Sequence, residues 1–95
     1  MGSIIECPIA DFNKAEAGST VYRLTGVITK VDNSTYGNCY IKDATGETYV
    51  YGIGAKGEFA KKGLKVGDVV TLTGVKDIYM GTGQMKKATL EPRFL

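Results

Sequence analysis

The sequence predicts an all-β domain in which five strands close into a small barrel, with a short helix between the third and fourth strands and a helical turn ahead of the first. With 95 residues, the chain has room for one domain. β-branched and aromatic residues gather into five short runs separated by turn residues. Two runs contain an internal glycine, Gly26 and Gly74, where a small barrel needs a sharp bend. Closure also removes most of the strand edges that invite aggregation.

The predicted elements follow one another without a linker or an internal repeat. The leading helical turn is predicted because Ile9, Phe12 and Ala15 fall on one helical face and Gly18 is a natural C-cap. A loop over residues 77–83 precedes the last strand. In order, the elements are a helical turn over 9–17, strands over 20–32, 38–42 and 47–53, a helix over 58–62, and strands over 69–76 and 84–91.

The first strand is expected to bend in its middle. Tyr22 and Leu24 share a face before Gly26, whereas Val27 and Val31 share one after it, so the alternation slips at the glycine. Such a slip lets one long strand serve both sides of a curled sheet.

The next two strands form a hairpin around the turn Asp43-Ala44-Thr45-Gly46. Residues 58–62 favour one or two helical turns that end at Gly63, another glycine C-cap. A tight turn over residues 65–68 then leads into the fourth strand. Periodicity alone does not separate an OB barrel from an SH3-like one, but a helix between the third and fourth strands favours the OB barrel.

Composition excludes several classes of function. The chain has 12 Lys or Arg, 10 Asp or Glu and no His, which gives a formal net charge of +2. Without His there is no His-based triad, no His-ligated zinc and no imidazole general base. Cys7 and Cys39 are too few for a cysteine-only zinc site or a disulfide scaffold. We expect two reduced thiols, with Cys39 packed in a strand, although pairing stays open if the chain is exported.

The compartment stays open at this stage. No apolar run reaches the roughly 20 residues needed to span a membrane, and the sequence shows no signal peptide. Residues 1–3, Met-Gly-Ser, look like a cloning remnant before a domain excised from a longer protein. A signal on such a parent would not be visible. We therefore expect residues 1–95 to form one domain with a core over about 20–91.

Three segments resemble the bacterial OB-fold nucleic-acid-binding domain family: VYRLTGVITKV over residues 21–31, CYIKDATGETYVY over 39–51 and LKVGDVVTLTG over 64–74. The shared pattern is a bent first strand with glycine, a D-x-x-G hairpin, and G-D-x-V entering the fourth strand. The resemblance covers about residues 20–91, and the leading helix suits versions found in exported proteins of Bacteroides-type bacteria. It implies an accessory module of a larger protein, beside a nuclease or phosphatase domain or in a lipoprotein.

OB domains bind single strands across the second and third strands, between two flanking loops. Aromatic side chains stack on the bases there, and cations follow the phosphates. Strand alternation turns Cys39, Ile41 and Val50 inward and the residues between them outward. At most one of Lys86 and Lys87 is expected to face the ligand, because neighbours in a strand point to opposite sides. The candidate nucleic-acid-binding residues are Arg23, Tyr36, Tyr40, Lys42, Tyr49, Tyr51, Tyr79 and Lys86, with Lys87 as the alternative to Lys86.

Catalysis finds no support in the residues. No Ser or Cys has a His partner to activate it, and the carboxylates lie mostly at turns or strand ends. The glycines of residues 52–57 lack the Lys-Ser or Lys-Thr of a phosphate-binding P-loop. We expect a non-enzymatic module, without cofactor or metal, that binds single-stranded DNA or RNA weakly.

The tyrosines leave a second class of function open, because exposed tyrosines on a sheet also bury against other proteins or neighbouring domains. The alternative is therefore a protein-interaction or spacer domain of an exported multidomain protein. Saccharides and other small ligands form a third, lesser possibility.

Overall fold

The computed structural model describes residues 2–92, so residues 1 and 93–95 of the predicted domain lie outside the described residues. The elements are, in order, β1 (Ile5–Glu6), α1 (Ile9–Lys14), β2 (Val21–Asn33), β3 (Asn38–Lys42), β4 (Glu47–Ile53), α2 (Glu58–Lys61), β5 (Val69–Tyr79) and β6 (Thr82–Leu90).

Strands β2 to β6 close into a five-stranded barrel, which confirms the predicted fold class. Along the sheet the order is β2-β3-β4-β6-β5, and β5 returns to pair with β2. Neighbouring strands are antiparallel except β4 and β6, which run parallel. The short helix α2 lies between β4 and β5 in the chain, as expected of an OB barrel.

The two long strands change partners near their glycines. β2 pairs with β5 over residues 21–27 and with β3 from Val27 onward. A Cβ atom on Gly26 would lie 2.9 Å from the backbone oxygen of Lys42, and one on Gly74 would lie 2.8 Å from that of Lys86. Both glycines therefore let two backbones approach more closely than any side chain allows.

β2 serves two sides of the barrel, as predicted, because it pairs with both β5 and β3, but the predicted slip in its alternation is wrong. Leu24, Gly26 and Ile28 all face the core, so the inward positions continue without interruption through the glycine. The irregularities fall later, where the register with β3 shifts between Ile28 and Lys30 and again between Val31 and Asn33.

Each end of the β3–β4 hairpin is covered by one of the helices. α1 lies beside the hairpin turn, where Asn13 Nδ2 donates to the backbone oxygen of Glu47 at 3.0 Å. α2 lies at the opposite end, where the Phe59 side chain packs near Gly37 and Ile53. Phe12 of α1 and Phe59 of α2 are both buried, so the helices complete the apolar core from two sides.

The end of α1 is fixed by the buried ammonium of Lys76 on β5. Its Nζ donates to the carbonyl oxygens of Phe12 (3.0 Å), Asn13 (2.8 Å) and Ala15 (2.9 Å). A cation at a helix C-terminus satisfies carbonyls that lack partners and complements the helix dipole. Burial lowers the pKa of Lys76, and these three acceptors compensate for the lost water. Gly83 leaves space for the side chain, because a Cβ there would lie 2.8 Å from Lys76 Cε.

The start of α1 is fixed by Asp43 in the β3–β4 turn. One carboxylate oxygen accepts three hydrogen bonds: from the backbone N–H of Thr45 (2.7 Å), from the Thr45 hydroxyl (2.6 Å) and from the backbone N–H of Gly46 (3.1 Å). The other accepts from the backbone N–H of Ile9 at 2.9 Å. Burial opposes ionisation of Asp43, but these hydrogen bonds outweigh it and hold the pKa of the carboxyl below its usual value.

Two predicted features near the chain's N-terminus differ in the structure. α1 ends at Lys14, three residues before the predicted limit, because Ala15 is extended. Gly18 is therefore not its C-cap; the glycine N–H instead donates to the backbone oxygen of Lys76 at 3.1 Å. The two-residue strand β1, parallel to β2, was not predicted, because so short a segment carries no period.

The predicted loop over residues 77–83 is instead a β-hairpin. β5 continues to Tyr79 and β6 begins at Thr82, joined by Met80 and Gly81 with φ of 52° and 81°. A two-residue type I′ hairpin turn, whose twist matches that of the strands, requires positive φ at both of its central residues. Methionine at the first position hides the turn from sequence-based prediction, because Asn, Asp or Gly is usual there.

We expect Gly26→Ala to destabilise the domain by about 1–3 kcal/mol, because the new methyl group meets three backbone atoms of Lys42 that cannot rotate away. Urea unfolding measures the change. Gly18→Ala is the control, since no heavy atom lies within 4 Å of a Cβ there. Equal stability of the two variants would show that closure does not depend on this close approach.

We expect Asp43→Asn to lower stability at pH 7 by about 1–2 kcal/mol, the usual cost of a lost helix-start or turn carboxylate. In the parent protein this stabilisation is complete above the pKa of an unfolded aspartate, about 3.9, and is lost as pH falls through the lower folded pKa. The difference between the two proteins should therefore shrink in acid. Urea unfolding between about pH 3 and pH 7 measures it. Glu16→Gln, at an exposed position, controls for net charge.

Candidate functional site

Three depressions adjoin one another on the outer surface of β3, β4 and β6, and together we call them the tyrosine groove. The loop end, of about 220 Å³, lies beside Tyr36 of the β2–β3 loop. The middle has about 210 Å³, and the hairpin end, beside the β5–β6 hairpin, has about 540 Å³. Tyr51 lines both the loop end and the middle, and Tyr79 and Gln84 line both the middle and the hairpin end. Each depression therefore shares a wall with the next.

The floor of the hairpin end is a pair of tyrosines from neighbouring strands. Tyr40 of β3 lies directly opposite Tyr49 of β4. Their ring centroids are 5.0 Å apart and the planes meet at 61°, an edge-to-face arrangement. Lys30 Nζ lies 5.8 Å from the centroid of Tyr40, within reach of a cation–π interaction. Burial, followed by the charge of nearby Asp32, raises the pKa of Tyr49 above its usual value.

Acidic and amide groups surround this tyrosine pair. Asp32 and Glu47 both line the hairpin end. Thr29 donates its hydroxyl to Glu47 Oε2 at 2.5 Å, and Lys30 Nζ lies 3.6 Å from Asp32 Oδ1. Gln84 on β6, only 6% exposed, donates its Nε2 to Asp77 Oδ2 at 2.8 Å. Its carbonyl is thereby directed away from Asp77.

The loop end combines aromatic rings with positive charge. Tyr36 and Tyr51 line it, with Tyr51 54% exposed. Lys87 lines the same depression, and Lys56 Nζ lies 5.9 Å from the centroid of Tyr36. The charge of the groove therefore changes along its length, from basic at the loop end to acidic at the hairpin end.

The alternation that was expected to turn Lys86 and Lys87 to opposite sides is not observed, because both line the groove. Lys86 lines the middle of the groove and Lys87 lines the loop end. The reason is a bulge opposite Gly74, where Lys87 adopts a φ of 56° and the register between β5 and β6 shifts. A bulge breaks the alternation on which the prediction depended.

Two of the predicted site residues lie away from the groove. Arg23 lies on the first half of β2, between β1 and β5, and its Nε donates to Glu91 Oε1 at 2.8 Å. Lys42, at the end of β3, is exposed but lines none of the three depressions. The structure brings the remaining six together: Tyr36, Tyr40, Tyr49, Tyr51, Tyr79 and Lys86.

The groove also contains residues that the sequence did not single out. Glu47 carries a signal, since it lies two positions before Tyr49 on the same outward face of β4. Gln84 carries none, because its place beside Tyr49 follows from the parallel pairing of β4 with β6. The same holds for Asn13, which α1 brings to the edge of the hairpin end.

The cysteines and carboxylates of residues 2–92 form no group of three that would hold a metal ion. Both cysteines are free, and Cys39 is buried in β3. Burial, followed by the charge of Asp32, raises the pKa of Cys39 to about 11, which leaves it a poor nucleophile. Neither helix in the described part of the chain has the length and hydropathy to cross a bilayer.

Comparison with known proteins supports the fold and goes no further. No family model matches the sequence, and no curated protein does. Among solved structures, the chain is similar to the hypothetical protein ygiW from E. coli, with a TM-score of 0.62 and 16% sequence identity. The match covers 96% of this chain and 100% of that one. The likeness thus extends over the whole barrel.

Proposed function

We propose that the domain binds single-stranded nucleic acid along the tyrosine groove. The observation that carries this proposal is the aromatic lining, since each of the three depressions has at least two tyrosines in its wall. Stacking on aromatic side chains contributes about 1–3 kcal/mol per base and tolerates any sequence, because every base has a π-face. From the loop end to the hairpin end, the rings are Tyr36, Tyr51, Tyr79, Tyr49 and Tyr40.

The position of the groove supports the same function. It crosses the second and third barrel strands, β3 and β4, and extends from the β2–β3 loop to the β5–β6 hairpin. OB barrels bind oligonucleotides at this surface, between these two connections. Both DNA and RNA are candidate partners, because recognition of the 2′-hydroxyl distinguishes RNA from DNA and no group in the groove is assigned to it.

Positive charge at the loop end and middle would contact phosphates. Lys86 and Lys87 are exposed on either side of Tyr51, and Lys56 extends over Tyr36. With a formal net charge of +2, the whole surface attracts a polyanion only weakly. We therefore expect affinity that is modest and decreases as salt rises, because each phosphate contact releases counterions.

The role we propose is binding without catalysis. As an accessory module of a longer protein, the domain would hold a single strand for a neighbouring catalytic domain. The tyrosine groove would then bind the strand, and the neighbouring domain would catalyse the reaction.

A second candidate is a protein-docking module, which the β5–β6 hairpin favours. Ile78, Tyr79 and Met80 at its tip are 55%, 64% and 86% exposed. Aromatic and methionine side chains are enriched where proteins meet. This candidate predicts association with a protein that is insensitive to salt, and no response to oligonucleotides.

We expect Tyr51→Ala to weaken binding of a mixed single-stranded oligonucleotide by roughly tenfold or more, because one stacking surface is lost. Tyr51→Phe keeps the ring and should bind like the parent protein. Fluorescence anisotropy with a labelled strand of about ten nucleotides at low salt measures both. Since Tyr51 is half exposed, truncation should leave the barrel intact, and urea unfolding checks this.

The difference in affinity between Tyr51→Ala and Tyr51→Phe shows whether the ring of Tyr51 stacks on a base. Equal affinity of Tyr51→Ala, Tyr51→Phe and the parent would contradict stacking at the centre of the groove. Failure of every strand to bind at low salt would leave the docking candidate as the better account of the tyrosines.

A further inference from the structure

We propose that the hairpin end of the groove selects a base that presents two adjacent N–H donors, so that guanine is preferred over thymine or uracil. This inference rests on the nucleic-acid binding proposed above and deepens it, because it assigns a sequence preference to one part of the groove.

The buried amide of Gln84 is the fixed point of this surface. Its Nε2 is held by Asp77 Oδ2 at 2.8 Å, and no hydrogen bond from residues 2–92 reaches its carbonyl oxygen. The residue as a whole is only 6% exposed, yet it lines both the middle and the hairpin end. No buried side-chain nitrogen or oxygen among residues 2–92 lacks a hydrogen-bond partner, so this unpaired oxygen is reached by solvent from the groove. A carbonyl that is oriented by its own amide and open to a groove can accept a hydrogen bond from a ligand.

Glu47 and Asn13 add acceptors on the other side. Glu47 Oε2 accepts a hydrogen bond from the hydroxyl of Thr29, and no group among residues 2–92 donates one to Glu47 Oε1. Asn13 donates its Nδ2 to the backbone oxygen of Glu47 at 3.0 Å, which leaves its side-chain carbonyl for the groove. Asp32, 3.6 Å from Lys30 Nζ, is the second carboxylate. The hairpin end is therefore rich in acceptors.

Such a surface suits a base and not a phosphate. Two carboxylates repel a phosphate, and Lys30 is already engaged with Asp32 and the Tyr40 ring. The lysines of the groove lie at its loop end and middle. A strand in the groove would thus place phosphates near those lysines and a base on the Tyr40–Tyr49 pair, with its edge toward the acceptors.

The bases differ in what they offer these acceptors. Guanine presents N1–H and the N2 amino group side by side, which can bond one carboxylate in a bidentate manner. Adenine and cytosine each present one amino group beside ring acceptors. Thymine and uracil present one N–H between two carbonyls, which would face the carboxylates of Asp32 and Glu47. The expected order is guanine first, adenine and cytosine next, and thymine or uracil last.

The test compares strands of about seven nucleotides that differ only in the central base of a thymine background. We expect guanine at the centre to bind roughly tenfold more tightly than thymine, the range of one good bidentate contact. Inosine lacks the N2 amino group but stacks like guanine, and it should lose most of this advantage. Fluorescence anisotropy at constant low salt measures each dissociation constant.

Variants locate the preference. Glu47→Gln should bind the all-thymine strand slightly more tightly, because a negative charge is gone, and should narrow the ratio between guanine and thymine strands several-fold. Glu16→Gln removes the same charge at an exposed position outside the groove and should leave the ratio unchanged. A loss of the ratio in the first variant alone supports the assignment.

The outcomes separate this inference from the function beneath it. If strands bind but guanine, inosine and thymine strands have equal affinity, the preference is wrong while the proposed function stands. If the guanine preference persists in Glu47→Gln and in Asp32→Asn, the hairpin end does not read the base. If no strand binds at low salt, the proposed function fails and the preference with it.

Discussion

Barrel closure at Gly26 and Gly74 is the constraint on which the rest of the structure depends. At these two positions the backbones of Lys42 and Lys86 come within about 3 Å of where a side chain would begin. Only then can β2 pair with β5 at one end and with β3 at the other, and β5 with both β2 and β6. Closure in turn brings β6 beside β4 in parallel, which places Gln84 next to Tyr49 and Lys86 next to Tyr51. The groove is thus a product of closure.

Attachment of α1 extends the same surface. Asp43 holds the start of the helix through Ile9, and Lys76 holds its end through three carbonyl oxygens. Between these two polar contacts, Ile9 and Phe12 are fully buried in the core. The helix is too short to be stable alone, so the barrel determines its position. That position brings Asn13 to the hairpin end of the groove, beside the carboxylates of Asp32 and Glu47.

Much of this arrangement was predictable from the sequence, because it is local. The limits of β3 and β4 agree with the alternation of Cys39, Ile41 and Val50, all of which are buried. Features set by distant partners were not predictable. The bulge at Lys87 depends on Gly74 across the hairpin, and the acceptor character of the hairpin end depends on Gln84, which joins the tyrosines only through the parallel pairing. Sequence alone therefore gives the tyrosines and misses the groups that would read a base.

The central claim is that the tyrosine groove binds a single strand, and amide chemical-shift mapping of the isotope-labelled domain tests it most directly. The titration would use mixed single-stranded DNA and then RNA, first at low and then at physiological salt, where weak binding still registers. The account predicts shifts confined to the groove, centred on Tyr36, Tyr40, Tyr49 and Tyr51, which diminish as salt rises. Unchanged spectra at low salt with both polymers, or shifts centred on Arg23 and β1, would contradict it.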